Sequence, residues 1–313
     1  MSNNKTEWYF IVNPRAGSGR TMSQWVPAER RLCSLGVEYQ TVLTDHRRHA
    51  TILAYEAAAR GFRRIAAVGG DGSVHEVFCG VCRYCSESGT PFSEFTLAVV
   101  PIGSGNDLIR SLGIPRDTLK AIDCIARGAT AASDVVKVSF AGKVAYMANV
   151  GGTGFDSHVC QRVNYQKESG LRSKSIYLRS LIYTVMHIRP INLKLVADGQ
   201  TVYDGACYSI ALGCGRYSGG GMRQVPEAVM DDGLLDYTIV PVISLPLILC
   251  QLPLLFSGKL LKSPYVKAGK CRELQIIPMD KASEDVVEID GEIEGSLPLR
   301  VEVCGSGIKY IIS

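Results

Sequence analysis

Acidic and hydroxyl side chains recur inside glycine clusters of this sequence, and several of those clusters directly follow a short apolar run. The richest is Val68-Gly69-Gly70-Asp71-Gly72-Ser73, between a strand-like and a helix-like segment. Three glycines permit tight turns and close backbone approach to a ligand. Backbone N–H groups at the start of a helix favour an anion. Asp71 is out of place beside a bare phosphate. It fits a phosphate that arrives with Mg²⁺, because a hard cation takes carboxylate and phosphate oxygens together. Ser73 is positioned to cap the following helix or to bond a phosphate. The alternative is a structural turn with Asp71 as its capping residue.

Two similar loops flank this one in sequence. Asn13-Pro14-Arg15-Ala16-Gly17-Ser18-Gly19-Arg20 follows the first apolar run. It lacks the G-K-[ST] of a Walker A loop. It still offers backbone donors to an anion, and a plain strand–helix turn satisfies it equally. Pro101-Ile102-Gly103-Ser104-Gly105-Asn106-Asp107 again combines glycine, hydroxyl and acid. Three such loops at strand ends converge on the carboxyl edge of one sheet, where open α/β sheets bind ligands. A nucleotide-phosphate site is the reading that unites them. Further along lie Ser218-Gly219-Gly220-Gly221, then Asp231-Asp232-Gly233, then Asp290-Gly291-Glu292. Two carboxylates flanking a glycine in a hairpin can hold a base beside a substrate hydroxyl. By spacing alone, though, Asp-Gly-Glu is a common turn.

The elements that must carry these loops alternate over the first ~135 residues. Strands are expected at Trp8–Asn13, Val37–Leu43, Ile65–Val68 and Leu97–Val100. Helices are expected at Ser23–Leu35, His49–Arg60, Ser73–Ser86 and Leu119–Arg127. That is the pattern of a parallel sheet covered by helices. After Asp134 the runs become short, β-rich and separated by glycine-bearing turns, as in an antiparallel β domain. A helical insertion is expected near Leu171–His187. The expected domains are 1–134 and 135–313, with the last strand returning toward the first domain.

Composition narrows the class. The chain has 313 residues, 46% of them hydrophobic and 20% charged, which excludes global disorder, collagen and coiled coil. A net charge of +4 is too mild to indicate nucleic acid. Eleven cysteines, an odd number, in a chain without a secretory pattern are expected as free thiols. A cytoplasmic location follows from the same reading. Ile239–Phe256 holds no charge but three prolines. It is expected as a helix broken at proline, with a surface resting on a bilayer as the bolder reading. Residues 162–194 carry seven Lys/Arg against Glu168. They form either a solvated helix or a basic face toward an anionic membrane, with Tyr165, Tyr177, Leu178, Leu181 and Tyr183 as apolar contacts. Cys79, Cys82 and Cys85 resemble part of an iron–sulfur run without its fourth ligand, and core cysteines are the expected role. His46 and His49 are expected at the surface or as caps.

Together, NPRAG, GGDGS, PIGSGND, GGGMRQVPEAVMDDGLLD and IDGE occur in the order and spacing of the diacylglycerol kinase-like lipid kinase family. The chain resembles that family from about Tyr9 to Val303. The resemblance implies an N-terminal α/β domain carrying ATP, a C-terminal antiparallel β-sandwich and a lipid site in the cleft between them. It implies nucleotide contacts at Asn13, Pro14, Arg15, Ala16, Gly17, Thr44, Gly70, Asp71, Gly72, Ser73, Val74, His75, Glu76 and Ser104, with Gly105, Asn106 and Asp107 completing the third loop. Asp71 and Asp107 would lie near the Mg²⁺–phosphate group. Asp134 and Asp232, with the carbonyl of Leu234, match a second, structural Mg²⁺ network. Glu292 matches the proton acceptor, with Asp290 beside it. The family usually has threonine at positions 73 and 104 and often asparagine at 75. The implied partner is a lipid alcohol at a membrane surface, the enzyme being peripherally associated, and a homodimer is compatible with it. An NAD kinase-like activity is the enzymatic alternative, and a non-catalytic nucleotide- or lipid-binding regulator the other.

Overall fold

The computed structural model describes residues 5–103, 105–168 and 175–313. The chain divides into two compact units, Met1–Val135 with Gly305–Ser313, and Val136–Cys304. The division falls one residue after the expected boundary, and the closing residues belong to the first unit.

Unit 1 is built on parallel strands β1 (Lys5–Val12), β2 (Tyr39–Leu43), β3 (Phe62–Gly69) and β4 (Thr96–Pro101). The order is β4-β3-β1-β2, and Lys309–Tyr310 add alongside β4 in parallel. The chain leaves β1 for β2 on one side and returns to β3 on the other. The carboxyl ends of β1 and β3 therefore border a topological switch point. Phe10, Trp25, Leu32, Ala66, Val100 and Ile122 fill the core on one face.

The helices follow local signals. After a short irregular turn, α1 (Ala16–Gly19), comes α2 (Thr21–Ser34). Alanine-rich α3 (His49–Ala59) packs on α4 (Asp71–Ser88) at Gly80. A Cβ on Gly80 would lie 2.3 Å from the Thr51 carbonyl oxygen, so only glycine allows that approach. Then come α5 (Asp107–Leu112), which the sequence pattern did not reveal, and α6 (Thr118–Arg127). The Asp117 side chain caps α6 by accepting from Lys120 N at 2.9 Å.

Unit 2 is antiparallel throughout its described pairings. Its elements are β5 (Thr130–Phe140, shared with unit 1), β6 (Lys143–Met147), β7 (Val150–Gly154), α7 (Phe155–Glu168), α8 (Ser175–His187), β8 (Ile191–Ala197), β9 (Gln200–Gly213), β10 (Leu235–Pro241), α9 (Leu245–Ser257), β11 (Lys267–Cys271), β12 (Glu273–Pro278), β13 (Val286–Ile289), β14 (Glu292–Ser296) and β15 (Leu299–Ile311), whose end returns to unit 1. The run KVAYMANV is broken between β6 and β7. A second core cluster, with Val136, Leu193, Ile210, Leu235, Leu274 and Val301, fills this β-sandwich. Leu181, expected among the membrane contacts, is instead buried in a third cluster with Val159, Val185 and Ile248, because α8 turns that face inward.

Among the described residues, no helix is long and apolar enough to cross a membrane. The uncharged segment splits into β10 and α9. Only Ile248 and Leu255 of α9 are buried, while Leu245, Leu249 and Phe256 are exposed.

Candidate active site

The three glycine loops meet at the carboxyl ends of β1, β3 and β4, adjacent strands of unit 1. Backbone contact makes this possible. A Cβ on Gly103 would come within 2.8 Å of Gly70 Cα, and one on Gly17 within 2.9 Å of the Ile102 carbonyl oxygen. Gly17 also has φ +55°, which side-chain-bearing residues rarely adopt.

Side chains lock the loops together. Asn13 Nδ2 donates to Ser73 Oγ at 3.0 Å, and Asn13 Oδ1 accepts from Arg15 N at 3.0 Å. Ser73 therefore ties the first loop to the second rather than capping α4, whose N-cap is Gly70. Asp71 ties the second loop to the third. Its Oδ2 accepts from Asn106 N at 2.7 Å and its Oδ1 from Asp107 N at 2.8 Å. These are short, charge-assisted bonds. Asn106 holds φ +54° and donates to the Gly103 carbonyl at 3.0 Å.

The third loop also packs closely on the acids through Gly105. The position a Cβ would take on Gly105 lies 2.6 Å from Asp71 Oδ2 and 3.7 Å from Asp107 Oδ2. Two neighbouring carboxylates suit Mg²⁺, which takes one or two carboxylates and completes its shell with substrate phosphate and water. Asp71 and Asp107 fit that ion.

Other expected residues have different surroundings. Glu76 caps α3, its carboxylate accepting from Arg48 N at 2.9 Å and Ala50 N at 3.1 Å. Val74 and His75 are buried in α4, with Cys79 Sγ 3.5 Å from His75 Nε2. Thr44 is buried and its N–H extends the β1–β2 ladder to Val12 O at 2.9 Å. Pro14, Ala16 and Gly72 are partly exposed and Arg15 is exposed on the loops. Ser104 lies outside the described residues. Asp134 is fully buried in β5.

In unit 2, Asp232 faces Lys270 Nζ at 3.2 Å, and its Oδ1 accepts from Leu234 N at 3.0 Å. Lys270 also reaches Asp236 Oδ2 at 3.0 Å. One positive charge on Lys270 is thus shared between Asp232 and Asp236. Among the described residues no three His, Cys, Asp or Glu side chains gather as metal ligands, the three helical cysteines included. Burial pushes the Cys85 thiol up to about 12, as suits a core cysteine.

The Asp290-Gly291 turn is clamped. Asp290 and Gly291 both take positive φ, +51° and +90°, as a tight two-residue hairpin demands. Asp290 accepts from Ala148 N at 2.8 Å, Asn149 N at 2.9 Å and Val150 N at 3.2 Å. It thereby stitches the β6–β7 break to the hairpin, a role no local pattern announced. The Gly291 N–H donates to Glu288, and its carbonyl accepts from Cys160 Sγ at 3.0 Å and Asn164 Nδ2 at 3.2 Å. Glu292 begins β14 on this fixed turn, partly buried.

Residues 7–138 match the diacylglycerol kinase catalytic domain, and residues 149–312 match the YegS C-terminal NAD kinase beta sandwich-like domain. The chain belongs to the diacylglycerol kinase-like lipid kinase family, and it is a kinase by that membership. A Bacillus subtilis (strain 168) protein named diacylglycerol kinase is 27% identical, the match covering 92% of this chain and 90% of that one. A Xanthomonas campestris pv. campestris (strain 8004) protein named "Probable lipid kinase YegS-like" is 26% identical over 97% and 95%. A crystal structure of a diacylglycerol kinase from Bacillus anthracis str. Sterne has the same fold, with TM-score 0.76, 24% identity and coverage of 98% and 97%.

Proposed function

We propose that the chain transfers the γ-phosphoryl group of ATP to the hydroxyl of a lipid alcohol such as diacylglycerol, with Mg²⁺. The observation that carries the reading is the Asp71 carboxylate bonded to two backbone N–H groups of the next loop, which holds two phosphate-binding loops in one register. Loose phosphoryl-transfer transition states need positioning and charge balance more than covalent chemistry. The backbone donors of the loops from Asn13, Gly70 and Gly103 supply the positioning. Asp71 and Asp107 would hold Mg²⁺, which when bound offsets the charge of the phosphates. Glu292 accepts the proton of the attacking hydroxyl. Asp290 acts as a positioning residue, since its oxygens are engaged by three backbone N–H groups. The enzyme works as a peripheral membrane protein. The support for that is the uncharged α9 with exposed Leu245, Leu249 and Phe256, and the exposed Ile182 and Met186 of α8. The basic stretch contributes less than its count suggests. Arg179 and Arg189 are exposed, but Arg162 packs over the Tyr183 ring at 3.6 Å. Arg172 and Lys174 lie outside the described residues.

The test is Glu292→Gln. A positioned base contributes ~10²–10⁴-fold, so lipid turnover is expected to fall at least ~100-fold while ATP binding persists. Wild-type turnover in that variant would remove Glu292 from the mechanism.

A further inference from the structure

Helix α7 is fastened to the hairpin that carries Glu292. Cys160 and Asn164 lie four residues apart and so share one face of the helix. Both donate to the same acceptor, the Gly291 carbonyl oxygen, from Sγ at 3.0 Å and from Nδ2 at 3.2 Å. The Asn164 amide also reaches Cys160 Sγ at 3.5 Å, so the two donors form one group. A second fastening lies at the far end of β13, where His158 Nε2 meets Asp285 Oδ1 at 3.1 Å. The neighbouring face of α7 is buried, with Val159 and Val163 packed among Leu181, Val185 and Ile248. A helix set into a core along one face presents the donors of the next face at fixed positions.

The carbonyl that α7 holds belongs to the peptide leading into Glu292. The turn needs glycine at 291 for its φ of +90°, yet glycine is also the residue least able to fix its own backbone. The bonds from Asp290 hold the residue before it, and the Gly291 N–H is held by Glu288. Neither restrains rotation of the peptide that follows. The two donors from α7 supply that restraint, from the side of the turn away from the β6–β7 break.

We propose that Cys160 and Asn164 are positioning residues for phosphoryl transfer. By holding the Gly291 carbonyl they set the backbone from which the Glu292 carboxylate reaches the acceptor hydroxyl. The assignment rests on the reading of Glu292 as the proton acceptor. A base displaced by a fraction of an ångström loses its alignment with the proton it takes, so the effect falls on the chemical step and spares ATP binding.

Hydrogen–deuterium exchange of the full chain, with initial rates on ATP, Mg²⁺ and diacylglycerol vesicles, tests it. Cys160→Ala with Asn164→Ala removes both donors. Amides of residues 288–294 should then exchange about ten-fold faster. The kcat should fall about ten-fold while the KM for ATP stays within about two-fold. Cys160→Ser with Asn164→Ala restores one donor and should recover about three-fold of that loss. Added to Glu292→Gln, the double alanine change should cost less than about two-fold more, because both act on one step. Asn164→Ala alone, the milder change, should lose about three-fold and carries the test if the pair unfolds. Unchanged hairpin exchange in the double variant, or the same loss again on top of Glu292→Gln, would overturn the assignment. Wild-type turnover in Glu292→Gln, with faster hairpin exchange in the double variant, would reject the base reading alone and uphold the fastening of the hairpin.

Discussion

Replacing Asp71 with asparagine removes one charge and almost no volume. The native carboxylate receives Asn106 N–H at 2.7 Å and Asp107 N–H at 2.8 Å. Asparagine keeps one acceptor, and its amide nitrogen must face the other N–H donor to donor. Each bond to a charged group contributes about 1.5–3 kcal/mol, and an orphaned part-buried donor adds its own desolvation cost. The expected destabilisation is about 2–3 kcal/mol, or roughly 5–10 °C in the unfolding transition of unit 1. Turnover has a separate reason to fall, because loop register and charge near the phosphates both change. A loss of at least ~100-fold, equivalent to about 2.7 kcal/mol of transition-state stabilisation, is expected. Gly105→Ala separates the causes, since its methyl would sit 2.6 Å from Asp71 Oδ2 and force that carboxylate to shift while keeping its charge. It too should lower turnover. The assays are thermal unfolding and initial rates with ATP, Mg²⁺ and a lipid alcohol. An Asp71→Asn variant that melts within a degree of wild type and keeps its rate would refute the reasoning.

Three other outcomes follow from unit 2. Asp290→Ala leaves three backbone N–H groups without their acceptor and should lower the melting temperature by several degrees, whereas Glu292→Gln should not; equal melting shifts would contradict the division into brace and base. Burial pushes the Asp156 carboxyl up to about 6 from its ordinary 3.8, so the folded state holds that proton more tightly and this group's contribution to stability falls as pH rises from about 4 to about 6. Asp156→Asn should therefore be the more stable protein above pH 6, by up to about 3 kcal/mol, and a constant difference across that window in chemical denaturation would deny it. The His158 ring is raised by its hydrogen bond to Asp285, 3.1 Å away. Its contribution is complete below pH 6.5 and is lost as pH rises through the higher folded value. With half the ring exposed the effect is no more than about 1 kcal/mol, and Asp285→Asn should abolish its pH dependence in melting curves.

The phosphate loops were legible because their chemistry is local. Glycine, aspartate and serine within six residues of a strand end announce a turn with exposed donors, and the βα alternation brings such turns to one edge. What joins them was not legible. Asp71 and Asn106 are 35 residues apart, Asn13 and Ser73 are 60 apart, and no spacing rule couples them. The same holds more strongly for Asp290, whose partners Ala148, Asn149 and Val150 are about 140 residues away. Its place beside Glu292 suggested shared chemistry, while the register of β13 against β7 gives it a structural one. Glu76 adjoins the glycine loop in sequence, yet helical geometry turns it toward the start of α3. Leu181 stands among the apolar residues of the basic stretch that suit membrane contact, but only the packing of α8 decides which side of that helix is buried.

The most direct test of the account is a single assay of the full chain with ATP and Mg²⁺ against a panel of lipid alcohols in vesicles, with NAD as an additional acceptor. Diacylglycerol, phosphatidylglycerol and a sphingoid base make up the panel. The account predicts a phosphorylated lipid, absent with Glu292→Gln, and no phosphorylation of NAD; phosphate transfer to NAD alone would contradict it.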